Sequence, residues 1–288
     1  MLAIKHILFP IDFSQRSCGG APFVHAMATR FGAKITLISA LAPVWQTDIG
    51  DAGATIPVDM HELQRDLETR LSGSFVREFD GIEVQRVVEI GDPAAVITRF
   101  AHTEGADLIM MPTHGYGPFR SLLLGSVTAK VLHDAECPVW TATHVDEPLS
   151  LRHMSGGNLL CAVDGTPKSV PLVAWAAEYA RITGATLQMV HAVSGFVGWP
   201  ERQLDGEFQE KLRTDARASI DRLQRASGVA LPLCVGVGEV AGVVREEAER
   251  HDSHLILIGR GILHETMGRL RTHSYGIIRH APCPVLSV

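Results

Sequence analysis

The chain has 288 residues, about twice the usual length of one domain. With 46% hydrophobic and 20% charged residues, 27 Gly and 15 Pro, it is neither a disordered chain nor a collagen-like or low-complexity one. A net charge of −6 argues against a general polyanion or nucleic-acid binder, and five Cys with no C-x-x-C pair argue against a disulfide framework or zinc ribbon and suit a reducing cytoplasm.

In chain order, short β-branched runs alternate with helical spacing. Strands are expected at Ile4–Pro10, Ile35–Ala40, Val84–Glu89, Leu108–Met111 and Val139–Thr141. Helices are expected between them at Ser14–Phe31, Met60–Phe79, Pro93–Thr103 and Ser126–Ala135. Such alternation implies a parallel sheet covered by helices on both faces. The opening MLAIKHILFPID lacks the long apolar core of a secretory signal. The longest charge-free apolar stretch, Ile35 to Trp45, falls well short of the roughly 18 residues of a membrane helix, so no membrane partner is expected.

After a polar, Gly-containing linker from Val145 to Gly157, the pattern is written again. Asp12 falls on Asp164, Ser14 on Thr166, Gly32 on Gly184, Ala40 on Ala192 and, with a small drift, Gly91 on Gly238. Each half closes with the same tripeptide, Cys137-Pro138-Val139 and Cys283-Pro284-Val285. The expected architecture is therefore α/β, with two repeated, doubly wound, five-stranded parallel-sheet domains over residues 1–144 and 157–288. Ser14 and Thr166 are suited to cap the first helix of each copy. The halves differ in charge: residues 1–146 carry 11 Lys/Arg against 17 Asp/Glu, and residues 147–288 carry 15 of each.

Ligands of open α/β sheets bind at the carboxyl ends of the strands, where strand order reverses. Asp12 follows the first strand there, as either a turn aspartate or a carboxylate for a ligand's amine or hydroxyls. The turn after it, Phe13-Ser14-Gln15-Arg16, has no glycine, which disfavours a dinucleotide fingerprint, and no P-loop pattern exists. After the fourth strand, Met111-Pro112-Thr113-His114-Gly115 leads through a loop to Gly125-Ser126-Val127. Glycines admit close backbone approach, and a helix opening at Ser126 would offer N–H groups and a positive dipole end to a phosphate.

The pattern Gly115-x9-Gly125-Ser126, preceded by Asp12, resembles the universal stress protein A family, as do the Gly91-Asp92-Pro93 turn and the Cys-Pro-Val ends. The likeness runs once through each half and implies an adenine nucleotide-binding, Rossmann-like fold. It further implies ATP or another adenine nucleotide (ADP or AMP), with or without Mg2+, and a role in stress response. On that resemblance Asp12 and Ala40 meet the adenine and ribose and Met111 packs against the base. Pro112, Thr113, His114, Gly115, Gly125, Ser126 and Val127 belong to the phosphate loop. Pro112 departs from the family pattern, which has glycine there; proline removes one N–H. The second half keeps Asp164, Ala192, Gly259 and Gly261, but Arg271-Thr272 replaces the Gly-Ser pair. With Arg260, Arg269 and Arg279 near Glu265, it reads as a lost site or as an anion site made by side chains. The family also implies pairing of Val139–Thr141 with Val285–Ser287, a pseudo-dimer within one chain.

Two other readings stand beside this one: a structural or partner-binding module with vestigial pockets, and a slow ATP-hydrolysing enzyme using His114. Protein partners or a homo-oligomer fit the first. The 14 His show no zinc-like spacing, and Cys18 is the best-placed thiol for reactivity.

Overall fold

The computed structural model describes residues 2–43, 59–113, 124–142, 157–193, 206–260 and 270–288. The first half runs β1 (His6–Pro10), α1 (Gln15–Gly19), α2 (Ala21–Phe31), β2 (Lys34–Leu41), α3 (Met60–Ser72), β3 (Val84–Ile90), α4 (Pro93–Thr103), β4 (Leu108–Pro112), α5 (Ser126–Asp134) and β5 (Val139–Ala142). The second half runs β6 (Asn158–Ala162), a 3-10 turn (Pro167–Ser169), α6 (Val170–Thr183), β7 (Thr186–Val193), α7 (Gly206–Ser227), β8 (Leu233–Val237), α8 (Val240–Arg250), β9 (Ser253–Ile258), α9 (Leu270–His280) and β10 (Val285–Ser287). Most of the expected linker, residues 145–156, lies outside the described residues.

Short apolar strands buried on both faces can sit only inside a covered parallel sheet. β1 and β4 are buried along their whole length, and β1 lies parallel to both β2 and β4. The strands form one ten-stranded sheet in the order β3-β2-β1-β4-β5-β10-β9-β6-β7-β8. Each half is parallel, and the seam is antiparallel, with Val139 opposite Ser287, Trp140 opposite Leu286 and Thr141 opposite Val285. Pairing these strands covers two sheet edges that would otherwise template association. The apolar faces of α2, α3, α6 and α7 bury one side of the sheet through residues such as Val24, Leu71, Val173 and Ile220. Those of α4, α5, α8 and α9 bury the other through Ile97, Val131, Val244 and Ile277.

The repeat extends to single hydrogen bonds. Ile11 N–H donates to the Ile38 carbonyl at 2.8 Å and Val163 N–H to Val190 at 3.0 Å. Gly91 N–H donates to Leu41 and Gly238 N–H to Val193, both at 3.0 Å.

Two helices differ from expectation. Ser14–Phe31 is split, because Gly19 and Gly20 are poor helix residues and Pro22 lacks the N–H that a continuous helix needs. α3 stops at Ser72, before Gly73. The apolar spacing beyond it belongs to turns in which Phe75 and Phe79 pack their rings 6.1 and 6.3 Å from Phe9. No helix among the described residues is long and apolar enough to cross a membrane.

Candidate functional site

Strand order reverses between β1 and β4 in the first half, so the crevice lies at their carboxyl ends. Asp12 stands exposed just beyond β1, and its Oδ1 accepts the Ser14 N–H at 2.9 Å. Ser14 Oγ accepts from Ser17 N–H at 3.1 Å and so caps α1 as expected. Ala40 is half-buried near the end of β2, and Met111, Pro112 and Thr113 are buried where β4 ends. The start of α5 is tied to that end. Gly125 N–H donates to the Thr113 carbonyl at 2.9 Å, and Thr128 Oγ1 donates to the Pro112 carbonyl at 3.2 Å. Pro112 thus gives up an N–H but anchors the helix through its oxygen.

Ser126 is not the cap of that helix. The N-cap is Gly125, which makes no side-chain capping bond, and Ser126 is the exposed first helical residue. Gly is accepted at this position, and among the described residues no side chain caps the first N–H groups of α5. Asp12, Ala40, Met111–Thr113 and Gly125–Val127 are therefore gathered at one edge, while His114 and Gly115 lie outside the described residues.

The residue after Asp12 is strained. Phe13 has φ +60°, the left-handed region, and Gly165 makes the same turn in the second half with φ +77°. An L side chain there costs roughly 1–2 kcal/mol. Phe13 retains compensation, because the Arg70 guanidinium sits 4.1 Å from its ring centroid. Phe13→Ala loses that contact and keeps the strain; Phe13→Gly loses the contact and relieves the strain. Urea denaturation should find Phe13→Gly about 1 kcal/mol more stable than Phe13→Ala, the reverse of the usual alanine preference.

The second half holds a cavity of about 260 Å³ lined by Asp164, Lys168, His191, Ala192, Gly259, Arg260 and His273 among others. Here the carboxylate is occupied: Asp164 Oδ1 accepts from Thr166 N–H at 2.9 Å, Thr166 Oγ1 at 2.8 Å and Ser169 Oγ at 2.7 Å. Partial burial alone would raise its pKa, but the Ser169 and Thr166 donors together hold it below the usual carboxylate value. Thr166 is accordingly not the side-chain cap its sequence position suggested, since its hydroxyl is spent on Asp164. His191 Nδ1 lies 2.9 Å from the Val163 carbonyl, which can only accept, so Nδ1 carries the hydrogen.

Arg260 makes contacts that the sequence did not indicate. Its guanidinium crosses the seam and donates to the Ala135 carbonyl and, at 3.1 Å, to that of Glu136. Arg279 is exposed at the far end of α9. Arg271 and Thr272 fall in the first turn of α9, and Gly261, Glu265 and Arg269 lie outside the described residues. Lys168 and His191 were not singled out from sequence. For Lys168 and His191 a signal existed, because Lys168 follows the helix-starting Pro167 and His191 precedes Ala192.

Among the described residues no three His, Cys, Asp or Glu side chains are grouped to hold a metal ion. Desolvation pushes the Cys18 thiol above its ordinary value, the opposite of activation.

The family model described as the universal stress protein family matches this chain twice, over residues 3–142 and 157–288. The chain belongs to the universal stress protein family. A universal stress protein from Thermus aquaticus is 33% identical over 142 residues, covering 47% of this chain and 96% of that protein. Universal stress protein MJ0577 from Methanocaldococcus jannaschii is 26% identical over 151 residues, covering 47% of this chain and 92% of that protein. The crystal structure of a universal stress protein from Archaeoglobus fulgidus aligns over 99% of this chain and 96% of that one, with a TM-score of 0.70 at 20% identity. That last likeness speaks for the fold: two universal stress protein units in tandem, joined through one sheet.

Proposed function

We propose that this protein binds an adenine nucleotide at the carboxyl edge of its first half and acts as a regulator in the response to stress. The observation that carries the reading is the start of α5, where Gly125 brings uncapped N–H groups to the edge that Asp12 also faces. Free N–H groups and the positive end of the helix dipole suit a phosphate. Asp12 suits the hydroxyls of a ribose or an adenine amine. The halves divide accordingly. Asp12 takes one backbone N–H, whereas Asp164 receives three donors from its own chain on one oxygen. The difference lies in where corresponding hydroxyls donate. Ser17 Oγ donates to the Ser14 carbonyl, but its counterpart Ser169 donates to Asp164.

In this reading α5 and the strand ends bind and orient the phosphates, and any Mg2+ would be held through the phosphates. Pro112 removes one of the N–H contacts expected of the family pattern; the Gly125 N–H is taken by the Thr113 carbonyl, leaving the N–H groups of the first turn of α5 to supply the rest.

Thermal-shift titration of the full chain with ATP, ADP and AMP tests the site. Saturation at 100 times Kd should add about 2.7 kcal/mol of stability. Asp12→Ala and Gly125→Arg should each remove most of the shift, the second by placing a bulky side chain at the mouth of the helix. No shift with any nucleotide, or the full unmutated shift retained in both variants, would overturn the assignment.

A further inference from the structure

A second cavity, of about 330 Å³, lies at the seam between the halves. It opens at the amino ends of β6 and β9, where Gly157, Leu159, Ser253 and Leu255 line it, whereas the Asp164 pocket lies at their carboxyl ends. The first half contributes Phe23 and Met27 from α2 and Trp140 from β5, so the cavity exists only because the two units share one sheet. Its volume falls in the range of small-molecule sites.

The lining has a definite chemistry. Phe23, Trp140 and Tyr179 supply aromatic walls, with the Phe23 and Trp140 ring centroids 5.2 Å apart. Glu249 and Asp252 are acidic lining residues, both exposed at the rim, and no Lys or Arg lines the space among the described residues. α8 ends at Arg250, so its carbonyl end reaches this place and adds partial negative charge, whereas the Thr183 carbonyl at the end of α6 is taken by Arg30. Ser253 Oγ is buried without a hydrogen-bond partner among the described residues, a polar group that a ligand could satisfy. His254 Nδ1 accepts the Asn158 N–H at 3.2 Å, and its Nε2 stands 3.9 Å from an Asp252 oxygen. Of the neighbouring cations, Arg250 turns away, whereas Arg30 and Arg245 each meet a lining residue. Arg30 donates to the Thr183 carbonyl, Arg250 pairs with Glu247, and Arg245 reaches Glu249 at 3.9 Å along the exposed face of α8.

Aromatic walls, two carboxylates and a helix carbonyl end, with no Lys or Arg among the described lining residues, favour positive charge on an apolar body. We propose that the seam cavity is a binding site for a small organic cation with an aromatic or aliphatic body. The Asp164 pocket differs, since Lys168 and Arg260 line its wall together with Asp164.

Three probes of one shape separate charge from apolar fit: 2-phenylethylammonium, 2-phenylethanol and 3-phenylpropanoate. Calorimetric titration of the full chain at pH 7 should find the ammonium at least about fivefold tighter than the alcohol, with the carboxylate weakest. The Met27 methyl carbon resonance should shift as the cation saturates. The double variant Glu249→Gln, Asp252→Asn should bring the ammonium down to the alcohol's affinity. Both side chains are exposed, and Asn tolerates the left-handed φ of +48° found at Asp252, so the fold is retained. Absence of binding at millimolar probe, equal affinities for the three probes, an unmoved Met27 resonance or an unchanged preference in the double variant would each overturn the proposal.

Discussion

Trp140→Ala should destabilise the protein by about 3–5 kcal/mol, at the upper end of what a core substitution costs. Trp140 is 2% exposed, pairs with Leu286 across the antiparallel seam and packs its ring beside Phe23. Truncation removes apolar area belonging to both halves. It also widens a cavity of about 330 Å³ that Trp140 already lines, so the surroundings cannot collapse to refill the space. Trp175 provides the comparison. It stacks on Tyr179 at 5.2 Å but is half-buried on α6, away from the strand seam. Guanidinium denaturation followed by far-UV circular dichroism should therefore find Trp175→Ala the milder change. If both substitutions cost the same, the seam is not a core shared by the two halves.

The seam was largely legible in the sequence because its determinants are local and repeated. Cys137-Pro138-Val139 and Cys283-Pro284-Val285 mark corresponding strands, and the family resemblance supplied their antiparallel pairing. The alternation of apolar runs and helical spacing likewise yields the α/β sheet, because strands buried on both faces must be apolar throughout. The site was legible to the level of which strand ends face the crevice. What escaped was the destination of individual polar side chains. Thr166 and Ser14 occupy equivalent positions, yet one donates to an aspartate and the other caps a helix, and no composition rule separates them. The strain at Phe13 had a signal only in register, since its counterpart Gly165 marks a turn that requires positive φ. The two-part first helix also left a trace in Gly19-Gly20 and Pro22, masked by the continuous apolar spacing of Ala21, Val24 and Ala28.

Arg260 had no local signal at all, because its partners lie 124 and 125 residues away, and it leads to the second large effect. Its main-chain N–H donates to the Val288 carbonyl at 3.1 Å, which fixes the backbone just beyond β9. From there the guanidinium reaches the Ala135 and Glu136 carbonyls, immediately after the last residue of α5. A helix ends in unpaired carbonyls and partial negative charge, so a cation with several donors is well matched to it. Burial lowers the pKa of Arg260 from its ordinary value, but a guanidinium stays charged at any physiological pH. The first-half counterpart is Thr113, whose N–H donates to Ala142 in the same way but whose side chain is too short to cross the seam. The clasp is thus one-sided, from the second half onto the first. Two charge-assisted hydrogen bonds lie near about 1.5 kcal/mol each or above, so Arg260→Ala should cost about 3 kcal/mol. Arg260→Lys should recover only part, since an ammonium lacks the planar fork that meets two carbonyls. Because the other end of α5 is the proposed phosphate cradle, loosening its carboxyl end should also weaken ATP at the first half by severalfold. That outcome, read by titrating ATP into Arg260→Ala at a temperature where it remains folded, would place control of one unit's ligand in a residue of the other. Unchanged ATP affinity with the stability loss intact would confine Arg260 to holding the two halves together.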